Sequence, residues 1–600
     1  MDDIVHHTKE NRMKKNISIF LCLFLCAAML FAYDNKQEIF NIGNDVFEAI
    51  KYIYVISGKA LPSTTGPWSN AELQLMLSKV DRDSLPSGAR NSYDYAASEL
   101  AAEPKNVKIE NLGLSFGLEL TPEGYFHTNT DKAFQGRDNW IYNSLDQEQF
   151  LNFTWETWAT KHIFAYFEFA VRNNRHLNNG FGSTSFLTNI PMFSMLTLNM
   201  NDLDMNMPDK CYFSIGGNNW NLEAGRDRLS WGAGETGNLA ISDNIPYHNL
   251  ARFTTFFSSF KYTFLTSFFP HPLNYADADS SKWGTGSQAD ADKGISFYMA
   301  HRVEGRFFRD KLNITITEAI MYMAEDGHVD PRVLNPMMFF HDYYIRSNAN
   351  STLLFEADFT IFKGLNIYAQ VIVDEFALPG EPYGPNEDWM FPTSIGYLAG
   401  LKGYFSLGNG IFFSSAEFAM TSPFLYLRYG TSENDKTKGG YGISYVVALR
   451  TFHPDFNVTY DEFFMGYQYG GDAIVANANA GWKIFDKFRI EGNFFFMAHG
   501  TYDKWTRWSQ IGTNAGLVGF EDAQTPTHTH ANTTNNKDDN ASLRNSVSYT
   551  YVAGLNASYN ILKSMKVFVQ GDYIIINNYG NISGVTQNDF QLAFGLHYTL

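Results

Sequence analysis

A long run of alternating apolar and polar residues near the C-terminus limits what this chain can fold into. From Val547 to Ile561 every second residue is apolar, eight in all, and the residues between them are mostly small or polar. This period is that of a β-strand, and the run is long enough for a tilted strand that crosses a membrane, which needs about 9 to 11 residues. A soluble β-sandwich also alternates, but its strands do not need so many apolar positions. The same alternation occurs in Leu112–Leu120, Ile163–Val171 and Phe590–Leu600.

The composition agrees with a membrane barrel and excludes several other fold classes. Aromatic residues make up 16% of the chain, charged residues only 18%, and the mean hydropathy is -0.26. No stretch of the mature chain reaches the roughly 18 consecutive apolar residues of a membrane helix, whereas a barrel strand stays near neutral because lipid-facing and lumen-facing residues alternate. Collagen, coiled coils, disulfide scaffolds and helical transporters are therefore excluded. We predict an all-β transmembrane barrel with a small N-terminal α-helical bundle, and the length of chain after the helices allows about 16 to 20 antiparallel strands, an even number being usual in bacterial barrels.

The first 32 residues have the features of a signal peptide. A basic start at Met13-Lys14-Lys15 precedes an apolar stretch from Ile17 to Phe31. We take residues 1–32 as the signal peptide, with Met13 as the true start, and expect export. Lipidation at Cys22 or Cys26 is the alternative, but each of these cysteines follows Leu rather than a small residue.

The charge and the remaining cysteine restrict the possible partners. A formal net charge of -18 excludes a general nucleic-acid binder, which would carry a basic face. Cys211 is then left alone in an exported protein, so we expect a buried small hydrophobe and no disulfide within the chain.

The region between the signal peptide and the alternating segments has helical periodicity. Apolar residues from Val46 to Ile53 share one helical face, and Ser69-Asn70-Ala71-Glu72 is a capping box that predicts the start of a second helix. A third helix is expected within Ser87–Glu103. We interpret residues 33–107 as an N-terminal helical bundle, a periplasmic plug or lid without chemistry of its own. We expect residues 108–600 to form the outer-membrane β-barrel.

Repeated tight hairpins predict which way the barrel faces. Short polar turns follow apolar strands at Phe362–Gly364, Ile484–Lys487 and Ile561–Ser564. In bacterial barrels short turns face the periplasm and long loops face outside. Successive connections in an antiparallel barrel alternate between its two ends, so the long polar loops Asp374–Pro392 and Gly500–Asn545 are expected on the outside.

Several segments occur in an order that points to a known family. They are, along the chain, Gly225–Gly234, Ile241–Pro246, Phe260–Phe264, His301–Glu304, Leu334–Pro336, Ile367–Gln370, Val373–Glu375 and Gly396–Leu401. In this order they resemble the capsule assembly Wzi family of outer-membrane proteins, over most of the chain from about Leu112. The resemblance implies a barrel of about 18 antiparallel strands with a helical bundle, which acts as a lectin and helps to hold capsular polysaccharide at the cell surface. The loop Asp522–Arg544 and the C-terminal Leu600 do not match the family.

One Gly-rich segment, from Arg226 to His248, is dense in charged and aromatic residues and is expected at the outer end of a strand. Sugars bind to aromatic faces and to planar polar groups, and arginine also pairs with acidic sugar carboxylates. We therefore predict glycan binding by this segment and by the start of the loop at Asp374. The predicted glycan-binding residues are Arg226, Asp227, Arg228, Trp231, Glu235, Asp243, Asn244, Asp374 and Glu375. The alternative is a structural Arg–Asp network that pins the segment inside the lumen.

Other polar clusters are weaker candidates for chemistry. His528 and His530 lack a third metal ligand, and the acidic residues within Asp277–Asp292 lack the spacing of a calcium loop. We interpret both as solvated loops and expect no metal and no cofactor. The sequence has no hydrolase elbow, zinc-protease motif or phosphate loop, so we expect no enzyme. A Ser–His pair built from neighbouring strands would not be visible in the sequence.

The predicted function is a lectin-like outer-membrane barrel that binds or anchors surface (capsular) polysaccharide in capsule assembly. The first alternative is a general diffusion porin or nutrient channel, and the second is a barrel hydrolase. We expect a bacterial outer-membrane location with the helical bundle on the periplasmic side. The expected partners are surface polysaccharide, outer-membrane lipid and the barrel assembly machinery, without nucleic acid, and the expected state is a monomer.

Overall fold

A computed structural model of the chain describes most of the sequence from residue 35 onward. The described residues are 35–109, 112–129, 151–171, 193–195, 210–269, 295–324, 331–337, 339, 349–376, 393–427, 443–452, 458–504, 524–528 and 543–600. The predicted signal peptide, residues 1–32 with its start at Met13, lies outside them. So do the acidic group Asp277–Asp292, His530 and most of the loop Asp374–Pro392.

Within the described residues, eighteen antiparallel strands form one closed barrel. In chain order, β1 to β6 are Leu112–Leu120 with Glu123–His127, Leu151–Ala159, Ile163–Val171, Cys211–Gly216, Trp220–Asp227 and His248–Phe256. Strands β7 to β12 are Phe260–Phe269, Ile295–Phe307, Leu312–Ala324, Ala349–Phe362, Leu365–Glu375 and Ser394–Leu407. Strands β13 to β18 are Gly410–Thr421, Ala473–Ile484, Phe488–His499, Ser548–Leu562, Met565–Asn577 and Thr586–Thr599. The predicted fold class is confirmed.

The barrel closes between its first and last strands. β18 pairs with both halves of β1, which are separated at Thr121-Pro122 because proline has no N–H to donate to the ladder. The short strand Val107–Ile109 pairs with the beginning of β1, beyond the reach of β18. Closure pairs the backbone donors and acceptors of the first and last strands, which a lipid environment requires.

Side chains alternate between the outer wall and the lumen. Outward positions hold apolar side chains such as Trp220, Phe253 and Ile367, which are 37–42% exposed. Inward positions on the same strands hold buried charged residues such as Glu223 and Arg252. An apolar outside and a polar inside are what a barrel in a bilayer needs.

The two ends of the barrel differ in how the strands are joined. At one end, which we call the short-turn end, the three predicted hairpins β10–β11, β14–β15 and β16–β17 are confirmed. Gly364 in the first of these turns has a φ of +94°, and a Cβ there would lie 2.9 Å from the Tyr404 carbonyl oxygen, so the turn requires glycine. At the opposite end, which we call the long-loop end, connections such as residues 228–247 are longer. That the short-turn end faces the periplasm stays a prediction.

The described N-terminal region contains three α-helices. They are α1, Asp45–Ser57; α2, Asn70–Ser78; and α3, Ser87–Leu100. Helix α1 begins where the Asn44 side chain accepts a hydrogen bond from the Val46 N–H at 2.7 Å, and it ends at Gly58 in a left-handed conformation. The predicted cap Ser69 accepts a bond from the Glu72 N–H at 3.4 Å. No described helix has the length and apolar character needed to span a membrane.

The helices pack together and against the barrel at its short-turn end. The predicted apolar face of α1, with Val46, Ile50 and Ile53, is at most 2% exposed. Tyr404 of β12 and Phe413 of β13 belong to the same buried cluster. Burying one such side chain contributes about 1.5–3 kcal/mol, so this contact holds the helices, which we call the helical domain, on the barrel.

Ion pairs also cross this interface. Glu72 Oε1 lies 2.5 Å from Lys261 Nζ, and both side chains are at most 5% exposed. Glu48 pairs with Lys483 and, at 3.1 Å, with Arg489. Burial alone would raise the pKa of the Glu48 carboxyl, but these two cations hold it well below its usual range. Removing one partner of a buried pair lowers the free energy of unfolding by about 3–5 kcal/mol. The pairs therefore fix the position of the helical domain on the barrel.

A carboxyl group of the helical domain predicts pH-dependent stability. Burial raises the pKa of Glu38 to about 8, and the Glu156 carboxylate acts in the same direction. Between pH 4.5 and about 8 the folded chain keeps a proton that the unfolded chain releases, so the stability that this group contributes falls as pH rises through that window. We expect Glu38→Gln to raise the free energy of unfolding at the upper end of the window by about 1.4 kcal/mol or more, the equivalent of one pKa unit.

The measurement is the urea midpoint of unfolding at both ends of this pH window. At the lower end Glu38→Gln should match the parent protein. Asp83→Asn, which changes an exposed carboxylate of the same domain, is the control and should follow the parent at both pH values. An equal gain from Glu38→Gln at both pH values would contradict the assignment.

Candidate functional site

Much of the lumen is filled by the chain itself, in a body that we call the lumen plug. It comprises residues 228–247, 422–427, 443–452 and 458–472. Leu239 and Tyr467 of the plug are fully buried in one cluster with Tyr298 and Leu398, which point inward from β8 and β12. Apolar inward positions on this side of the barrel are therefore matched by apolar residues of the plug.

The plug reaches from the long-loop end to the helical domain. Ser230–Trp231 forms an antiparallel pair with Thr65–Gly66, which lies between α1 and α2. The Gly232 N–H donates to the Thr64 carbonyl oxygen at 3.1 Å. Trp231 is fully buried at this junction, so the plug and the helical domain are joined inside the barrel.

A carboxylate of the barrel wall holds the plug at Glu235 and Thr236. Glu417 of β13 accepts hydrogen bonds from the backbone N–H groups of Glu235 at 2.7 Å and Thr236 at 2.8 Å. The Tyr368 hydroxyl donates to the same carboxylate at 2.6 Å, and the Glu235 side chain pairs with Lys402. A buried carboxylate saturated in this way fixes the turn rather than leaving it open to a ligand.

The structure divides the sequence-predicted residues among several environments. Asp227 and Trp231 are fully buried in the lumen, so Trp231 offers no open face to a sugar. Arg226 is on the outward face of β5, where its guanidinium lies 4.1 Å over the Tyr247 ring and donates to Asn249 Oδ1 at 3.1 Å. The sequence predicted that Arg226, Asp227 and Trp231 lie together on one outer surface. The structure separates them, and the burial of Asp227 and Trp231 is closer to the alternative, in which the segment is pinned inside the lumen.

Three of the predicted residues stay together and partly exposed, and we call them the outer plug group. They are Arg228, Asp243 and Asn244. Arg228 directly follows the last residue of β5 at the long-loop end, and its Nε donates to the Asp243 carbonyl oxygen at 2.5 Å. The side chains of Arg228 and Asp243 are 28% and 47% exposed. Asn244 Nδ2 donates to the Phe464 carbonyl oxygen at 3.1 Å, which ties the group to the plug hairpin formed by the paired strands Val446–Phe452 and Val458–Phe464.

The other two predicted residues, Asp374 and Glu375, lie at the end of β11. Asp374 points inward, and its Oδ2 accepts a hydrogen bond from the Tyr426 N–H of the plug at 2.9 Å. Glu375 pairs with Ser394 at an irregularity in the β11–β12 ladder. In the described part of the chain, Asp374 therefore positions the plug.

A serine–histidine pair does occur on neighbouring strands. His248 Nδ1 and Ser267 Oγ are 3.1 Å apart, and Asp227 lies opposite His248 in the strand register. All three side chains are fully buried, so a substrate does not reach Ser267 in this arrangement. We interpret these residues as a buried polar cluster of the barrel wall.

A second polar surface, which sequence reasoning missed, lines the lumen on β14 to β17. The inward residues that form it are only partly buried, whereas Val475, Phe495 and Val552 on the same strands are buried in one cluster with the plug. We call it the polar wall, and it comprises Asn479, Glu491, Asn493, Asn556 and Gln570. Amides and carboxylates of this kind exchange hydrogen bonds with water or with sugar hydroxyls. The sequence indicates this surface through the polar residues that alternate with the apolar, outward ones in each of these strands.

The described residues do not place three histidine, cysteine or carboxylate side chains where they could hold a metal ion. His528 is described, whereas His530 and the acidic group Asp277–Asp292 fall outside the described residues.

Comparison with known proteins gives likeness in structure only. No protein-family model matches the chain, and no curated protein sequence matches it. Wzi of Escherichia coli, described as an outer-membrane protein involved in group 1 capsule assembly and as a carbohydrate-binding β-barrel, has a TM-score of 0.53 and 12% identity over 93% of this chain and 98% of its own. At this identity the likeness shows a shared outer-membrane barrel fold.

Two further structures are more distant. The outer-membrane channel DcaP of Acinetobacter baumannii has a TM-score of 0.32 and 8% identity over 83% of this chain and 100% of its own. OmpT of Vibrio cholerae has a TM-score of 0.32 and 8% identity over 82% of this chain and 99% of its own.

Proposed function

We propose that this chain is an outer-membrane barrel that binds surface polysaccharide at its long-loop end. The observation that carries the proposal is the outer plug group, in which the Arg228 and Asp243 side chains lie together at the long-loop end and stay 28% and 47% exposed. The Arg228 guanidinium offers a planar fork for hydroxyls or for an acidic sugar carboxylate, and the Asp243 carboxylate offers acceptors, while Asn244 holds the group on the plug. A plugged lumen suits retention of a long polymer at the surface better than its passage.

A role in capsule assembly of the Wzi kind is part of this proposal. The order of the sequence segments resembles that family, and the barrel fold is shared with the E. coli protein that is described as carbohydrate-binding. In the proposed arrangement the short-turn end and the helical domain face the periplasm, and the outward apolar wall contacts outer-membrane lipid. The chain is inserted by the barrel assembly machinery and acts as a monomeric binding protein rather than an enzyme.

A diffusion channel is the second candidate, and the polar wall favours it. Its partly buried amides and carboxylates line the lumen on β14 to β17, as the wall of an aqueous path would. Conductance in planar bilayers separates the two functions, because a plugged binding protein gives little current and a porin gives a steady one. A porin-like conductance of the intact protein would favour the channel.

The binding proposal predicts the effect of a single substitution in the outer plug group. Arg228→Gln is expected to lower polysaccharide retention about tenfold, since hydrogen bonds to a charged group contribute about 1.5–3 kcal/mol and 1.4 kcal/mol is a factor of ten in affinity. The measurement is polysaccharide retained by cells that carry equal amounts of each variant in the outer membrane.

Arg226→Gln is the matched control for this experiment. It removes an arginine from the same strand end, but Arg226 faces the outer wall and stacks on Tyr247. We expect retention by this variant to equal that of the parent. If the two variants retain equal amounts of polysaccharide, the outer plug group is not the binding site.

A further inference from the structure

The outer wall of β8 and β9 is covered by protein over part of its height. Phe297 and Met299 on β8 and Ile320 on β9 point outward, away from the lumen, yet are fully buried. Closer to the short-turn end on the same face, Val303 and Ile316 are 42% and 44% exposed. A wall that met only lipid would leave all five side chains similarly exposed. The chain itself therefore covers the part of this wall that lies nearer the long-loop end.

An imidazole–carboxylate pair lies at the boundary between the covered and exposed parts. His301 Nε2 is 2.7 Å from Glu318 Oε2, and the two residues face each other in the strand register. Both point outward near the middle of their strands and are only 14% and 10% exposed. A charged side chain that faces hydrocarbon at this depth costs about 2.5–3.5 kcal/mol, so the pair needs cover.

The described cover is the segment Pro331–Met337, between β9 and β10. The Pro336 carbonyl oxygen accepts a hydrogen bond from the Tyr262 hydroxyl and lies 3.3 Å from His301 Nδ1. Tyr262 points outward only two positions after the start of β7 at the short-turn end. The connection that contains the segment starts at the long-loop end of β9. Its contact with Tyr262 therefore places the segment well along the outer wall toward the short-turn end.

Several backbone groups of this segment are bonded within the protein, and two of its residues have no N–H. Pro331 and Pro336 have no N–H, the Asn335 N–H donates to the Arg332 carbonyl oxygen at 3.2 Å, and the Met337 N–H donates to Asn335 Oδ1 at 3.1 Å. Irregular backbone at membrane depth is tolerated only where protein satisfies it. Arg332, the one charged residue of the segment, has a side chain long enough to extend toward lipid headgroups.

The side chains that the segment presents to its surroundings are largely apolar. Leu334 is 42% exposed and Met337 79% exposed, and the neighbouring Phe339 is 73% exposed. We propose that Pro331–Met337 is a membrane-embedded clasp, which covers the His301–Glu318 pair and presents Leu334 and Met337, beside the neighbouring Phe339, to lipid acyl chains. Hydrocarbon is the surrounding that fits these side chains at this depth.

Spin labels on single cysteines test the clasp in the mature chain, reconstituted into phosphatidylcholine vesicles. Cys211, which is partly rather than fully buried, is first replaced by serine. Labels are then placed through Met337→Cys, through Ile316→Cys as the lipid-facing reference, and through Ser583→Cys, in the β17–β18 connection, as the water-facing reference. Collision with oxygen reports lipid, and collision with a water-soluble nickel chelate reports water. We expect the label at position 337 to match position 316, with nickel collisions severalfold fewer than at position 583.

Three outcomes decide the proposal. Nickel collisions at position 337 equal to those at position 583 would place the segment in water and overturn it. Spin–spin broadening at position 337 would show a second copy of the chain on this wall and would also overturn the lipid contact. Tyr262→Phe removes one donor to Pro336 and leaves the ion pair intact, so it should raise nickel collisions at position 337 severalfold and leave position 583 unchanged. No rise would overturn the anchoring of the clasp through Pro336.

Discussion

Deletion of residues 33–104 is expected to turn a plugged barrel into a conducting one. The helical domain covers the short-turn end, and its Thr65–Gly66 strand holds Ser230–Trp231 of the plug inside the lumen. Without the domain the plug keeps wall contacts such as those of Glu417, but it loses its anchor. Single-channel current in planar bilayers should therefore rise from near zero to a porin-like level, while the barrel still shows heat-modifiable gel mobility.

The deleted barrel should also unfold at a lower temperature. Lys261 loses its buried partner Glu72, and Arg252 loses the Pro67 carbonyl oxygen to which it donates at 2.5 Å. In the intact chain, Trp231→Ala tests the anchor alone, and we expect it to give a smaller, fluctuating current. Unchanged current after the deletion would show that the plug seals the lumen without the domain. Failure of the barrel to assemble would make the domain an integral part of the barrel.

The barrel could be predicted from the sequence because alternate residues face lipid, which favours apolar side chains, and the lumen, which accepts polar ones. Most outward positions of β16 and β18 hold apolar or aromatic side chains, and most inward positions hold small or polar ones. A one-residue slip would turn the whole apolar set toward the lumen, so the pattern specifies both the strand and its faces. The tight turns were readable for a similar reason, since Gly364 meets a conformational demand that few residues satisfy.

The lumen plug was not readable in the same way. Strand β8 is apolar on both faces between Phe297 and Ala300, which is the mark of a strand buried on both sides. Tyr298 and Ala300 meet the plug, and Phe297 and Met299 lie under the cover on the outer wall. The pattern therefore signals burial on both faces, but it does not say which part of the chain provides the cover.

The candidate site was predicted only in part because its contacts join distant parts of the chain. Glu235 pairs with Lys402, 167 positions away, and Thr236 is held by Glu417, 181 positions away. Composition marked the segment as polar and aromatic, but only these partners decide which side chains are buried. Arg228 and Asp243 stay together because their contact is nearly local, 15 positions apart.

Arg302→Met is expected to lower the free energy of unfolding by about 3–5 kcal/mol, the usual effect of leaving a buried charge without its partner. Arg302 is 1% exposed, pairs with Glu356, and lies 3.9 Å from the Glu304 carboxylate. Its Nε also donates to Thr65 Oγ1 of the helical domain at 2.7 Å. Methionine fills much of the same volume without a charge, so two carboxylates would stay buried near each other. The measurement is the urea midpoint of the barrel in detergent micelles at neutral pH, followed by gel mobility.

Two further variants separate lost charge from lost packing. Adding Glu356→Gln to Arg302→Met removes one of the uncompensated carboxylates, so the double variant should recover a substantial part of the lost stability. Arg82→Met breaks an exposed pair with Asp94 and should leave the midpoint unchanged, because exposed pairs contribute little. A double variant no more stable than Arg302→Met would show that packing around the side chain, and not its charge, holds this part of the wall to the helical domain.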